Sequence, residues 1–173
     1  MMFEAQTEWI APDNFPDLSG YKLIAIDLET KDPDLKSKGS GAVIGNGEII
    51  GVAVAVDGWC KYYPFGHEGG GNLDKKKILN WISDVCATDA TKIFHNAMYD
   101  ICWLRSYGIK VNGHIVDTMV MASLVDENRM RYTLNALSWE YLGERKSEAT
   151  LREVAKNWGI DAKAELYKLP AIY

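Results

Sequence analysis

Two carboxylates end the first strongly apolar run of the chain, and this pair constrains the fold and its chemistry more than any other feature. The run covers residues 21–26 and is followed by Asp27 and Glu29. An apolar run of this length predicts a buried strand. Alternate residues of a strand point to the same face, so the Cα atoms of the two acidic residues lie about 6–7 Å apart. Mutual repulsion and lost hydration disfavour two such anions, and a hard divalent cation with oxygen ligands offsets both costs. The pair therefore predicts a metal site.

Size and charge limit the classes of protein that fit the sequence. A chain of 173 residues is the length of one domain. The net charge of −5 argues against a protein that binds nucleic acid through a broad basic face. It still allows an enzyme that holds the end of a strand through metal ions, because bound cations dominate the local charge.

The sequence also indicates where the protein works. No apolar run reaches the length of a membrane span, and the acidic N-terminus lacks the pattern of a signal peptide. Cys60, Cys86 and Cys102 are odd in number and far apart, which favours reduced thiols. We expect a cytoplasmic protein with no membrane partner.

The pattern of the chain predicts an irregular lead-in over residues 1–20 and a single domain over residues 21–173. Strands are predicted at about 21–29, 48–56, 59–65 and 92–95, with a loop or hairpin at 31–47. Helices are predicted at about 73–85, 96–107, 117–124, 133–142 and 147–158. Strands come first, then strands alternate with helices, and the last segments are helical. This order predicts an α/β fold, a mixed β-sheet flanked by α-helices.

A second acidic motif lies where the predicted fourth strand gives way to a helix. Asn96 is a candidate N-cap for that helix, and Asp100 lies one turn further on the same face. The helix dipole favours an anion so close to the N-terminus. We therefore expect Asp27, Glu29 and Asp100 to converge.

Taken together, these motifs resemble a known family. Residues 26–30 are similar to the first motif of the 3′–5′ exonuclease domain of family A (polymerase I-like) DNA polymerases, and residues 95–100 to the second. Residues 117–119 resemble a downstream Asp-Thr-Met segment of that family. The resemblance covers about residues 20–173 and is strongest to phage-type polymerases. It implies the ribonuclease H-like fold of the DEDD exonucleases.

The resemblance also implies a reaction and a set of roles. Two divalent cations, Mg²⁺ or Mn²⁺, hydrolyse the terminal phosphodiester at the 3′ end of single-stranded DNA during proofreading. It makes Asp27, Glu29 and Asp100 both catalytic residues and metal ligands. Asp27 would bridge the two ions, Glu29 would hold one of them and reach the terminal nucleotide, and Asp100 would serve the other through water. Thr30 and Asn96 would bind substrate.

The sequence departs from the family at its third motif, Tyr-x-x-x-Asp or His-x-x-x-Asp on a final helix. Tyr167 is followed four positions later by Ala171, and the sequence ends at Tyr173. We therefore expect a fragment of a longer polymerase, truncated before the third motif, with a polymerase domain C-terminal to it in the parent chain. Alone it should have little activity. Asp161 and Glu165 are candidate substitutes for the fourth carboxylate.

Two other functions stay open at this point. The chain could be a free-standing exonuclease that trims RNA or DNA, or a non-catalytic module that binds single strands. The three carboxylates disfavour the binding module, while the missing motif favours it.

Several other residues have structural interpretations. Asp117 is expected to cap a helix rather than to bind metal. His95 is expected to be a hydrogen-bonded neighbour of the site, and His67 an exposed loop residue. Four aromatic residues at helical spacing are expected in the core: Trp103, Tyr107, Trp139 and Trp158.

Overall fold

A mixed five-stranded sheet forms the centre of the computed structural model, which describes residues 9–144, 149–162 and 164–173. The strands are β1 (Leu23–Lys31), β2 (Glu48–Val56), β3 (Trp59–Pro64), β4 (Thr91–Phe94) and β5 (Ile115–Asp117). The helices are α1 (Leu35–Lys38), α2 (Gly41–Ile44), α3 (Lys75–Ala87), α4 (Ala97–Ser106), α5 (Thr118–Val125), α6 (Leu134–Leu142) and α7 (Ala149–Trp158). A 3₁₀ turn, Leu166–Lys168, follows them.

The strand order is β3-β2-β1-β4-β5, so β1 lies in the middle of the sheet. β1, β2 and β3 form an antiparallel meander, whereas β4 and β5 add in parallel on the other side of β1. The carboxyl ends of β1, β4 and β5 therefore meet at one edge. The predicted α/β mixed sheet flanked by helices is confirmed.

The two faces of the sheet have different partners. Ile24, Ile26 and Leu28 point from β1 into a core that includes residues of α3 and α4 such as Ile82 and Leu104. The opposite face of β1 carries Ala25, Asp27 and Glu29, which are partly or fully exposed. The acidic residues thus lie on the more open face, next to a shallow groove bordered by the start of α6.

Most predicted strands and helices occur within a few residues of their expected bounds, but the loop predicted at 31–47 was wrong. That segment contains α1 and α2, which the Asp32 carboxylate ties to the end of β1 by accepting the Gly41 N–H at 3.1 Å. Short helices of this kind lack enough residues to produce an apolar period. The start of the predicted helix 147–158 lies partly outside the described residues.

The predicted aromatic core was partly wrong. Trp103 is 2% exposed and packs in the main core, with Tyr107 against it. Trp139 is 51% exposed and Trp158 is 47% exposed. Helical spacing predicts that a helix has an apolar face, but it does not say whether another element covers that face.

Two further observations concern the environment of the chain. Within the described ranges, no helix combines the length and apolar character needed to cross a bilayer. Cys60, Cys86 and Cys102 are free thiols, as predicted.

Candidate active site

The acidic residues meet where two parallel strands separate. β1 and β4 pair only as far as Ala25 and Ile93. Beyond that pair, β4 leads into α4 while β1 continues, so α4 approaches the free side of β1. Asp100, in the first turn of α4, accepts the Leu28 N–H through Oδ1 at 3.1 Å. Leu28 lies between Asp27 and Glu29. Such a divergence of strands is where open α/β sheets bind ligands.

The surroundings of Asp100 raise the pKa of its carboxyl group. Asp100 is almost fully buried, at 3% exposure. Burial, then the charge of Asp27 and, less strongly, that of Glu29 raise the pKa of Asp100 to about 7, against the smaller opposing effect of the Leu28 N–H. Each charge would have little effect at long range. Asp27 and Glu29 are therefore close enough to Asp100 for their charges to act on it, and we call these three residues the acidic cluster, with Asp27 at its exposed side.

This cluster has the chemistry of a divalent-cation site, although its side chains are not arranged around an ion. In the part of the chain that the structure describes, no three acidic, histidine or cysteine side chains form a ready metal-binding group. All the candidate ligands are oxygen atoms, which hard cations prefer, and Mg²⁺ usually keeps several waters. A cation would also relieve the repulsion that raises the pKa of Asp100. The residues therefore fit a partly hydrated divalent ion.

A β-bulge lies directly beside Glu29. Glu29 pairs with Gly51, but Thr30 pairs with Ile49, so one residue of β2, Ile50, is extra. Bulges bend strands and redirect side chains, and they are frequent near active sites. Here the bulge shifts the pairing of β1 with β2 directly after Glu29. The last residues of β1 are therefore out of register with the part of the strand that carries Asp27 and Glu29.

Thr30 belongs to a hydrogen-bonded chain that sequence analysis missed. The Tyr99 hydroxyl donates to Asp32 Oδ2 at 3.0 Å and lies 2.7 Å from Thr30 Oγ1. Since the Tyr99 hydroxyl directs its hydrogen to the carboxylate, the Thr30 hydroxyl donates its hydrogen bond to Tyr99. The chain fixes Thr30 relative to α4. No signal in the local sequence indicated this contact, since Tyr99 and Asp100 are consecutive and neighbouring residues of a helix do not share a face.

Asp117 caps two helices at once. It accepts the N–H groups of Asn96 at 3.0 Å and Ala97 at 2.8 Å, at the start of α4. It also accepts the Met119 N–H at 2.9 Å, at the start of α5. This is possible because β4 and β5 end side by side, with Phe94 opposite Asp117. The predicted cap is confirmed, and its link to α4 makes Asp117 a support for Asp100.

Asn96 has a different role from the one its position suggested. It occupies the N-cap position of α4, but its side chain makes no capping hydrogen bond, because Asp117 takes that part. Its backbone is left-handed, with φ of 72°. The side chain is exposed beside the acidic cluster. Strained backbone at such a place is typical of functional sites.

The predictions for the two histidines near the site had different outcomes. His95 Nδ1 lies 2.9 Å from Thr118 Oγ1, which donates to the Phe94 carbonyl at 3.1 Å, so the predicted bonded neighbour is confirmed. His67 is only 6% exposed, and the prediction of an exposed loop residue was wrong. Its glycine-rich surroundings suggested a solvated loop, but the C-terminal segment packs over it.

The sheet order and the acidic cluster together define the class of the protein. The fold is ribonuclease H-like, and the acidic cluster lies where β1 and β4 separate. The sequence profile of the 3′–5′ exonuclease family of family A DNA polymerases matches residues 5–169. The chain belongs to this family.

Two phage DNA polymerases are similar in sequence. The DNA-directed DNA polymerase of Pseudomonas phage M6 is 34% identical over 172 residues, which cover 95% of this chain and 26% of that protein. The DNA polymerase DpoZ of Salmonella phage PMBT28 is 31% identical over 150 residues, covering 84% and 21% respectively. The chain thus spans about a quarter of the length of these relatives.

A solved structure supports the fold. Brucella melitensis NrnC with bound Mg²⁺ superposes with a TM-score of 0.53 at 18% identity, covering 80% of this chain and 60% of that one. At this identity the likeness concerns the fold alone.

Proposed function

We propose that this exonuclease domain proofreads: it removes nucleotides from the 3′ end of single-stranded DNA within a longer family A DNA polymerase. The observation that carries the proposal is the position of Asp100. This residue is buried and accepts the N–H of Leu28, the residue between Asp27 and Glu29. A buried carboxylate beside two others is unfavourable without a cation, and exonuclease chemistry uses cations at such a cluster.

The residues of the site would have different roles in this reaction. Asp27, Glu29 and Asp100 would hold two divalent ions, Mg²⁺ or Mn²⁺, which supply Lewis acidity and an activated water. Asp27 is the most exposed of the three and would bridge the two ions. Glu29 would also reach the terminal nucleotide. The fixed hydroxyl of Thr30 and the exposed amide of Asn96 would contact the substrate.

Two observations support a polymerase over the other functions. The sequence relatives are DNA polymerases, at 34% and 31% identity, which favours a proofreading domain over a free-standing nuclease. The retained acidic cluster, with its raised Asp100 pKa, disfavours a module that only binds single strands. The phage relatives also support a place in the cytoplasm of a bacterial or phage-infected cell.

We also propose that residues 21–173 form an exonuclease domain that needs a further segment, bearing the third motif, to complete its site. The uncovered face beside Asp27 supports this, because a groove of about 280 Å³ there is lined by small and apolar side chains such as Ala53 and Ile93. It borders a second apolar groove of about 340 Å³ between α5 and α6. Exposed apolar surface of this extent is typical of a packing site. Side chains of a helix packed on this face would fill the first groove.

Replacing Asp27 with Ala in the intact protein is expected to reduce 3′ trimming at least 100-fold, because a lost ligand removes several kcal/mol of transition-state stabilisation. Folding should survive, since the change also removes a repelling charge. The measurement is the degradation of 3′-labelled single-stranded DNA in Mg²⁺, with exposed Asp84→Ala on α3 as the matched control. Trimming by Asp27→Ala at the rate of the control would place the chemistry elsewhere.

The 173-residue chain alone is expected to trim much more slowly than a chain extended through the next Tyr-x-x-x-Asp, because Mg²⁺ needs near-ideal geometry and each ligand matters. Both proteins are assayed on the same DNA in Mg²⁺ and in Mn²⁺. Equal rates would contradict the proposed extension and direct attention to Asp161 and Glu165. Those two side chains accept hydrogen bonds from backbone N–H groups within their own turn.

A further inference from the structure

We infer that Tyr62 is a further substrate-contacting residue of this site: its hydroxyl accepts a hydrogen bond from the 3′-hydroxyl of the terminal nucleotide, and His67 positions it. The inference rests on the proposed exonuclease function and deepens it. It assigns part of the recognition of an intact 3′ end to a strand that carries none of the acidic residues.

The sheet register puts Tyr62 on the face of the acidic cluster. Asp27 pairs with Ala53 on β2, and Ala53 pairs with Tyr62 on β3. Directly opposed residues of neighbouring strands share a face, with strands about 4.8 Å apart. The Tyr62 side chain therefore starts about two strand spacings from Asp27 and on the same side of the sheet.

The ring of Tyr62 then crosses β2 toward Glu29. A Cβ atom at Gly51 would lie 2.1 Å from Tyr62 Oη, so the hydroxyl lies directly above this glycine. Gly51 is the partner of Glu29 on β1. Burial, followed by the charges of Glu29 and then Asp27, raises the pKa of Tyr62. The hydroxyl is thus a neutral group within the field of the two carboxylates.

His67 determines which way this hydroxyl points. Its imidazole Nδ1 lies 3.0 Å from the Leu169 carbonyl and its Nε2 lies 2.7 Å from Tyr62 Oη. A carbonyl only accepts, so Nδ1 carries the hydrogen. Burial lowers the pKa of His67, which favours the neutral ring. Nε2 therefore accepts a hydrogen bond from the Tyr62 O–H.

The C-terminal segment fixes the imidazole in turn. Leu169 is fully buried. On either side of the imidazole contact, Tyr167 O accepts the Glu68 N–H at 2.7 Å and Gly70 O accepts the Ala171 N–H at 3.0 Å. Within the loop, the Asn72 side chain donates to His67 O at 2.7 Å and accepts the His67 N–H at 2.8 Å. The histidine is therefore held on both of its sides.

This arrangement turns Tyr62 into an oriented acceptor. With its hydrogen directed to His67, the phenol oxygen has only lone pairs to offer on the partly exposed face that also carries Glu29. In the proposed function Glu29 contacts the terminal nucleotide, whose sugar would then lie near this oxygen. The 3′-hydroxyl is the donor of that sugar in DNA, so it is the group that this oxygen fits.

The test compares single-stranded DNA ending in a 3′-hydroxyl with DNA ending in a 3′-hydrogen or a 3′-fluorine, neither of which donates. In the intact protein with Mg²⁺, kcat/KM is measured for removal of the last nucleotide. Tyr62→Phe is expected to lower the ratio of the 3′-hydroxyl to the 3′-hydrogen substrate about fivefold, the effect of one neutral hydrogen bond. The value for the 3′-hydrogen and 3′-fluorine substrates should change less than twofold.

Two further variants separate contact from structure. Tyr63→Phe is the matched control, because Tyr63 is fully buried on the opposite face and its hydroxyl donates to the Asn14 carbonyl at 3.0 Å. It should cost stability and leave the ratio unchanged. His67→Leu should lower the ratio toward that of Tyr62→Phe, because the hydrogen of the phenol is then free to turn. His67→Gln keeps an acceptor and should lower the ratio less.

The outcomes are distinguishable. A wild-type protein that does not trim would overturn the proposed function. A wild-type protein that trims, together with a Tyr62→Phe variant of unchanged ratio, would overturn only the role of Tyr62. Equal loss on all three substrates would also overturn it, since a structural role has no preference for the 3′ group. If Tyr62→Phe fails to fold, the ratio of His67→Leu decides in the same way.

Discussion

Replacing Asp100 with Asn is expected to stabilise the metal-free protein at pH 8 by up to about 4 kcal/mol and to reduce trimming at least 100-fold. The folded-state pKa of Asp100 is about 7, raised from 3.8 by burial and by Asp27 and Glu29. Between these pH values the folded state binds more protons than the unfolded state, so stability falls as the pH rises through this window. A tenfold difference in proton affinity between the two states corresponds to about 1.4 kcal/mol.

Asn is the informative substitute because it keeps the oxygen that accepts the Leu28 N–H while it removes the buried charge. Urea unfolding in EDTA at pH 8 and at pH 3.5 gives the two free energies of unfolding. The variant should be more stable only at the higher pH. Adding Mg²⁺ should then stabilise the wild-type protein more than the variant. The control is Asp84→Asn, at an exposed position of α3. An Asp100→Asn protein that is no more stable than wild type at pH 8 would contradict the proposed cost of burying the Asp100 charge.

Replacing Asp117 with Ala is expected to lower the free energy of unfolding by about 2 kcal/mol, because one lost cap costs about 1 kcal/mol and this carboxylate caps two helices. Trimming should fall as well, since α4 carries Asp100. The matched control is Asp74→Ala, which removes the cap of a single helix by losing the Lys77 N–H bond of 3.0 Å far from the cluster. The interpretation fails if the two variants lose equal stability.

The same carboxylate predicts a pH dependence. Burial alone would raise the pKa of Asp117, but the N–H groups of Asn96, Ala97, Met119 and Val120 outweigh it, so the pKa is lowered from 3.8. A lowered pKa contributes stability above the unfolded-state value, and that stability is lost as the pH falls through the folded-state value. The difference in stability between wild type and Asp117→Ala should therefore shrink in acid below about pH 4.

The sequence by itself determined the local features of the site. The two-residue period of a strand put Asp27 and Glu29 on one face, and the segment after β4 predicted a helix with Asp100 in its first turn. These inferences need only the geometry of a single element. The motifs at residues 26–30 and 95–100 also indicated the family, because they combine residue type, spacing and order.

The tertiary structure decided everything that depends on which elements become neighbours. The separation of β1 from β4 puts Asp100 on the Leu28 N–H, and the side-by-side ends of β4 and β5 let Asp117 cap two helices. His67 is buried because a segment about a hundred positions later, at Leu169, covers it. A local pattern records the propensity of an element and the polarity of its faces. It does not record strand order or long-range partners, because the sum of packing over the whole sheet selects those.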